Sequence, residues 1–76
     1  MKNIDKEKVA KEFGAYIREA REKSGLYQSE VAEQLGVSRA YYTHIEAGNR
    51  DIYFATALDI CRVLKLNIND FMKYLK

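Results

Sequence analysis

The chain has 76 residues, 47% of them hydrophobic and 32% charged, which leaves room for one domain with a core just large enough to fold unaided. The lack of proline and the mere four glycines argue against a turn-rich β-sandwich, and a net charge of +2 is too mild to indicate nucleic acid by itself. The lone Cys61 excludes an internal disulfide framework and a cysteine zinc site, the charged opening MKNIDKEKVAKE lacks a signal-peptide core, and no stretch approaches the ~20 apolar residues of a membrane span.

The expectation is therefore a cytoplasmic, all-α single domain spanning residues 1–76. The first helix is predicted over about Lys6–Lys23, capped by Asn3 or Asp5, with Val9, Phe13, Tyr16, Ile17 and Ala20 forming one apolar stripe. Ser24-Gly25 ends it, because glycine most readily takes the left-handed turn after a helix. A second helix follows at about Gln28–Leu35 and stops at Gly36. Ser38 can accept an unpaired backbone N–H and so start a third helix, about Arg39–Ala47. Val31, Leu35, Val37, Tyr42 and Ile45 cannot share one continuous helix. They fit two short helices bent about Gly36, with Ala32 small enough to allow a close crossing. That pattern is a helix-turn-helix over residues 28–46, whose second helix keeps a polar face of the right size for the DNA major groove. Gly48-Asn49 marks a turn. A fourth helix, about Tyr53–Leu64, places Phe54, Ala57, Leu58, Cys61 and Leu64 on one side. Asn67 opens the last, with Asp70 in a capping-box-like position and Phe71, Met72 and Leu75 after it.

Dispersed matches in one register carry a family resemblance: Ile17-Arg18-Glu19-Ala20-Arg21, Gly25-Leu26-Tyr27-Gln28, Val31-Ala32, Leu35-Gly36-Val37-Ser38 and Ile45-Glu46-Ala47-Gly48. From about Phe13 to Leu75 the chain resembles the lambda-repressor-like, Cro-type helix-turn-helix domains of the xenobiotic-response-element family. The resemblance implies a compact five-helix domain that binds a specific double-stranded operator, usually as a dimer and most often to repress transcription. Several positions depart from the family pattern. Tyr27 stands where Ser or Thr caps the second helix, Tyr42 where an aliphatic core residue is usual, and Ala20 where leucine is common. Asp51-Ile52-Tyr53 replaces a proline-and-serine helix start, and Lys65 replaces a glycine stop.

On the third helix, ~100° per residue turns Tyr42 and Ile45 inward and Ala40, Thr43 and His44 away from the core, with Arg39 at the exposed N-terminal edge. The resemblance places base contacts at Arg39, Ala40, Thr43 and His44. Arg39 can donate its planar fork to guanine O6 and N7, Thr43 can bond a base or lay its methyl on thymine, and Ala40 can touch only a thymine methyl. His44 can donate or accept. Taken singly, Arg39 is equally a solvated charge, His44 a surface histidine and Ala40 a plain helix former. Phosphate contacts position a protein on DNA without reading it. By resemblance they fall on Gln28, Asn49 and Arg50, while Ser38 can cap its helix and touch phosphate together. Tyr41 either adds a hydroxyl contact or flanks the core, and Asn49 is also readable as a left-handed turn residue.

The resemblance also pairs Arg21 with Glu46 in a structural salt bridge. Phe71, Met72, Tyr74 and Leu75 are more apolar residues than a short terminal helix usually hides; they are assigned to a homodimer contact, with core packing the alternative for Phe71 and Leu75 and expected of at least one of them. No catalytic constellation, metal site, cofactor or small-molecule ligand is expected, and no membrane partner. The function expected is a DNA-binding transcriptional regulator, most simply a repressor on a palindromic operator. The alternative is a protein-binding adaptor or antitoxin module on the same fold, which would hold its partner at high salt where DNA binding fails. Residues 1–12 stay open between an extension of the first helix, a dimer contact and a DNA-binding arm.

Overall fold

The computed structural model describes residues 5–75. Among them are five helices and no strand: α1 (Lys6–Lys23), α2 (Gln28–Leu35), α3 (Arg39–Ala47), α4 (Phe54–Val63) and α5 (Ile68–Tyr74). The first three have the expected bounds, and residues 6–12 are the opening turns of α1. In α4, Tyr53 and Leu64 are the flanking caps rather than helical residues.

Local chemistry explains where the helices start. The Asp5 carboxylate accepts the backbone N–H of Glu7 at 3.0 Å and of Lys8 at 3.2 Å, so Asp5 caps α1. Asn3, the other candidate, lies outside the described residues. Ser38 Oγ accepts the Tyr41 N–H at 3.0 Å, which fixes the first turn of α3. Tyr27 makes no side-chain cap, and α2 is closed from the opposite direction: the Glu30 carboxylate accepts the Tyr27 N–H at 2.7 Å. Asn67 caps α5 by accepting from the Asn69 N–H at 2.9 Å.

The ends are equally specific. Gly36 closes α2 with φ 74°, and the N–H of Val37 returns to the Ala32 carbonyl at 3.1 Å. After α4, Lys65 adopts φ 57°, the conformation for which the family uses glycine. A side chain there costs about 1–2 kcal/mol. The turn is nevertheless held by the Leu66 N–H on the Cys61 carbonyl at 2.7 Å.

The core draws on every helix: Phe13, Ile17, Val31, Ala32, Tyr42, Ile45, Ala57, Ile60, Cys61 and Phe71 are buried, with Leu64 beside them. Within α1, Ala10 and Gly14 join the buried face, while Val9, Tyr16 and Ala20 of the expected stripe lie at its margin. Gly14 is buried because the end of α3 lies directly on it. A Cβ at that position would come within 2.7 Å of the Ile45 carbonyl oxygen. A Cβ on Gly48 would likewise meet the Lys11 Cα at 2.7 Å. The two backbones cross at a distance only glycine permits.

Two expectations are corrected. The inward stripe of α4 is Ala57, Ile60 and Cys61, continued by Leu64, whereas Phe54 and Leu58 are 71% and 41% exposed. Positions 57, 60, 61 and 64 follow the i, i+3, i+4, i+7 rule, and Ile60 takes the place given to Leu58. Phe71, assigned to a dimer contact, belongs to the core. Its ring meets Phe13 edge-on at 5.1 Å and Tyr16 at 5.3 Å, leaving it 4% exposed. Leu75 packs at the core margin, so Met72 and Tyr74 are the members of that group left largely in solvent. A seven-residue helix offers one narrow inward stripe, and Phe71 fills it. No helix among the described residues is long and apolar enough to cross a membrane.

Candidate nucleic-acid interface

α3 is seated on the protein by Tyr42, Ile45 and Glu46, all buried. On its other side Arg39, Ala40 and His44 are exposed, as the helical period requires. Thr43 differs from expectation: it is half-buried, and its hydroxyl donates to Gln28 Oε1 at 3.1 Å. Ser38 precedes this face and Asn49 and Arg50 follow it, all exposed. Gln28, the first residue of α2, stands beside Thr43. The chain thus gathers the expected base-contacting and phosphate-contacting residues around one helix.

Beneath this face lies a hydrogen-bonded ion pair. Arg21 Nε donates to Glu46 Oε2 at 2.6 Å and Nη2 to Oε1 at 3.1 Å, with the two side chains only 11% and 3% exposed. Arg21 Nη1 also donates to the Leu26 carbonyl at 2.8 Å, and Gln28 Nε2 donates to Glu46 Oε1 at 3.0 Å. Burial pushes the Glu46 carboxyl up, but the bonds from Arg21, the polar contact with Tyr42 and the bond from Gln28 together hold it below its ordinary value. The Tyr42 hydroxyl is fully buried and makes no aligned hydrogen bond. Burial, and then the adjoining Glu46 carboxylate, keep that phenol protonated well above the usual tyrosine range. The pairing inferred from resemblance therefore exists. It ties the end of α1, the loop before α2 and the end of α3 into one unit.

Other residues acquire definite surroundings. Tyr41 packs half-buried against the core and carries the Arg50 guanidinium over its ring, 4.9 Å from the centroid. The ring of Tyr41 thus flanks the core, and the Arg50 guanidinium covers its outer side. Gly48, with φ 74°, takes the left-handed position in place of Asn49, whose N–H donates to the His44 carbonyl at 3.0 Å. Tyr41, His44, Asn49, Arg50, Asp51 and Tyr53 line an open groove of about 690 Å³. The Cys61 thiol is buried, and burial pushes its pKa up, away from the reactive thiolate.

Sequence reasoning overlooked two features of the site. Gly14 seats the end of α3; an isolated glycine inside a helical pattern was the available signal. The Gln28–Thr43 bond joins residues 15 apart on two different helices, and no short spacing announces it.

Residues 12–70 match the helix-turn-helix domain family, and the chain belongs to it. An uncharacterized HTH-type transcriptional regulator of Bacillus subtilis (strain 168), YqaE, is 28% identical over 61 residues, covering 80% of this chain and 53% of that protein. The chain thus spans about half the length of that curated relative. Among solved structures, the clp gene regulator ClgR from Corynebacterium glutamicum superposes with a TM-score of 0.80 at 25% identity, over 84% of this chain and 68% of that one. The restriction-modification controller protein C.AhdI from Aeromonas hydrophila gives a TM-score of 0.75 at 27% identity, over 83% of this chain and 94% of that one.

Proposed function

We propose that the protein is a sequence-specific, double-stranded-DNA-binding transcriptional regulator of the cytoplasm, acting as a homodimer on a palindromic operator and repressing by occupying it. The observation that carries this reading is the outer side of α3, where Arg39, Ala40 and His44 stand free of the core while Arg50 and Asn49 flank them. Arg39 reads a base with its bidentate fork. Thr43, Ala40 and His44 contribute smaller contacts. Gln28, Ser38, Tyr41, Asn49 and Arg50 position the helix on the phosphates, with Gln28 and Ser38 at helix starts where backbone N–H groups favour an anion. Met72 and Tyr74, exposed on α5, supply the two-fold contact. No catalytic step, cofactor or metal enters this account.

Selection of bound sequences from a random duplex pool tests it. The expected result is one enriched, two-fold-symmetric site. Affinity for it falls steeply with salt, and Arg39→Ala loses about 1–3 kcal/mol of discrimination at a single base position per half-site. A pool with no enriched site, together with a protein partner retained at high salt, overturns it in favour of an adaptor.

A further inference from the structure

The Gln28 carboxamide lies between the buried ion pair and the outer side of α3, and its two ends are chemically distinguished. Arg21 fixes the Glu46 carboxylate through its Nε and Nη2. An ionised carboxylate only accepts, so the end of Gln28 that faces Glu46 at 3.0 Å must be the NH₂. The carboxamide cannot turn over without setting its carbonyl oxygen against that negative charge. Its Oε1 is thereby aimed at Thr43, 3.1 Å away, and an amide oxygen can only accept. A hydroxyl has one proton, and Thr43 must give it to Gln28.

We propose that Gln28 is a positioning residue that sets the polarity of Thr43, so that Thr43 meets DNA as a hydrogen-bond acceptor and a methyl group and never as a donor. This rests on the DNA-reading role of α3 proposed above. The remaining lone pairs can accept from adenine N6 or cytosine N4, and the methyl can pack on the thymine methyl. Guanine presents only N7 and O6 acceptors along the major groove. Thr43 is therefore specificity-determining by exclusion: it disfavours guanine at the base it faces. The chain of protons that enforces this runs Arg21 to Glu46, Gln28 to Glu46, Thr43 to Gln28.

The test combines random-pool selection with NMR of the free protein, on the wild type, Thr43→Val and Gln28→Leu. The wild type should show a Thr43 hydroxyl proton slowed in exchange with water, and one base position depleted of guanine. Thr43→Val, which removes the hydroxyl but keeps a methyl, should retain that depletion. Gln28→Leu frees the hydroxyl to donate, and guanine should rise roughly tenfold at that position and nowhere else. A uniform loss of affinity in Gln28→Leu reports its phosphate contact and does not alter this pattern. If Gln28→Leu does not fold, the hydroxyl exchange and the Thr43→Val selection decide. A rapidly exchanging Thr43 hydroxyl in the wild type overturns the proposal, as does an unchanged guanine frequency in folded Gln28→Leu, or guanine admitted by Thr43→Val. A protein that selects no sequence while its Thr43 hydroxyl stays protected refutes the DNA-reading role, and the specificity claim with it. That outcome is distinct from failure of the hydrogen-bond chain.

Discussion

At Glu46, the least exposed charged side chain of the site, opposite effects meet on one carboxylate. Desolvation favours its neutral form, and the donors from Arg21 and Gln28 favour its charged form; the donors win. In the unfolded chain this carboxyl takes up a proton near its ordinary 4.5, whereas in the fold it does so only at lower pH. The stability it contributes is therefore fully present above about pH 5 and is lost as the pH falls through the folded value. Glu46→Gln should lower the melting temperature at pH 7, since leaving Arg21 buried without its partner costs about 3–5 kcal/mol. The same substitution should flatten the acid limb in melts between about pH 7 and 3. An acid limb as steep as that of the wild type would place the titrating group elsewhere. The pair was legible from the family resemblance alone. Its extension through Gln28 to Thr43 was not, because hydrogen bonds between helices depend on how those helices pack.

The elements show a similar division. Helix bounds for α1, α2 and α3 follow from caps and stops, which are local: Asp5, Ser38 and Gly36 act on amides or torsions within a few residues. Which face turns inward is less local. α4 carries apolar side chains on more than one side, and the sequence pattern favoured Leu58 where packing against the other helices buries Ile60. The α1–α3 crossing is the most demanding of these contacts. By intrinsic propensity Gly14→Ala should stabilise an exposed helix by about 1 kcal/mol. Here the added methyl enters the space of the Ile45 carbonyl, and overpacking of that kind costs about 1–3 kcal/mol. We expect a net fall in melting temperature, accompanied by weaker DNA binding as the end of α3 is pushed away. A raised melting temperature would mean that the two helices do not cross on this residue.

For the whole molecule, one copy presents one α3, and the palindromic operator proposed above would require two, set ~34–36 Å apart on one face of the duplex. The exposed residues of α5 bear on that requirement. Met72→Lys, at a site 60% exposed, should convert dimer to monomer in sedimentation and lower the melting temperature only by what dimerisation contributes. It should also weaken binding to the full site far more than to a half-site. A wild type that sediments as a strict monomer both alone and on DNA removes the two-fold account. The sequence by itself determined the number of helices, their bounds near caps and glycines, and the outward placing of Arg39, Ala40 and His44 on α3, because each of these depends on torsions and side-chain periodicity within one segment. Only the tertiary structure decided that Phe71 is core, that Ile60 replaces Leu58, and that Thr43 is tied to Gln28. Burial is settled by which helix arrives to cover a face, and a polar group's direction by the neighbour it meets there. Neither is written in the spacing of residues along the chain.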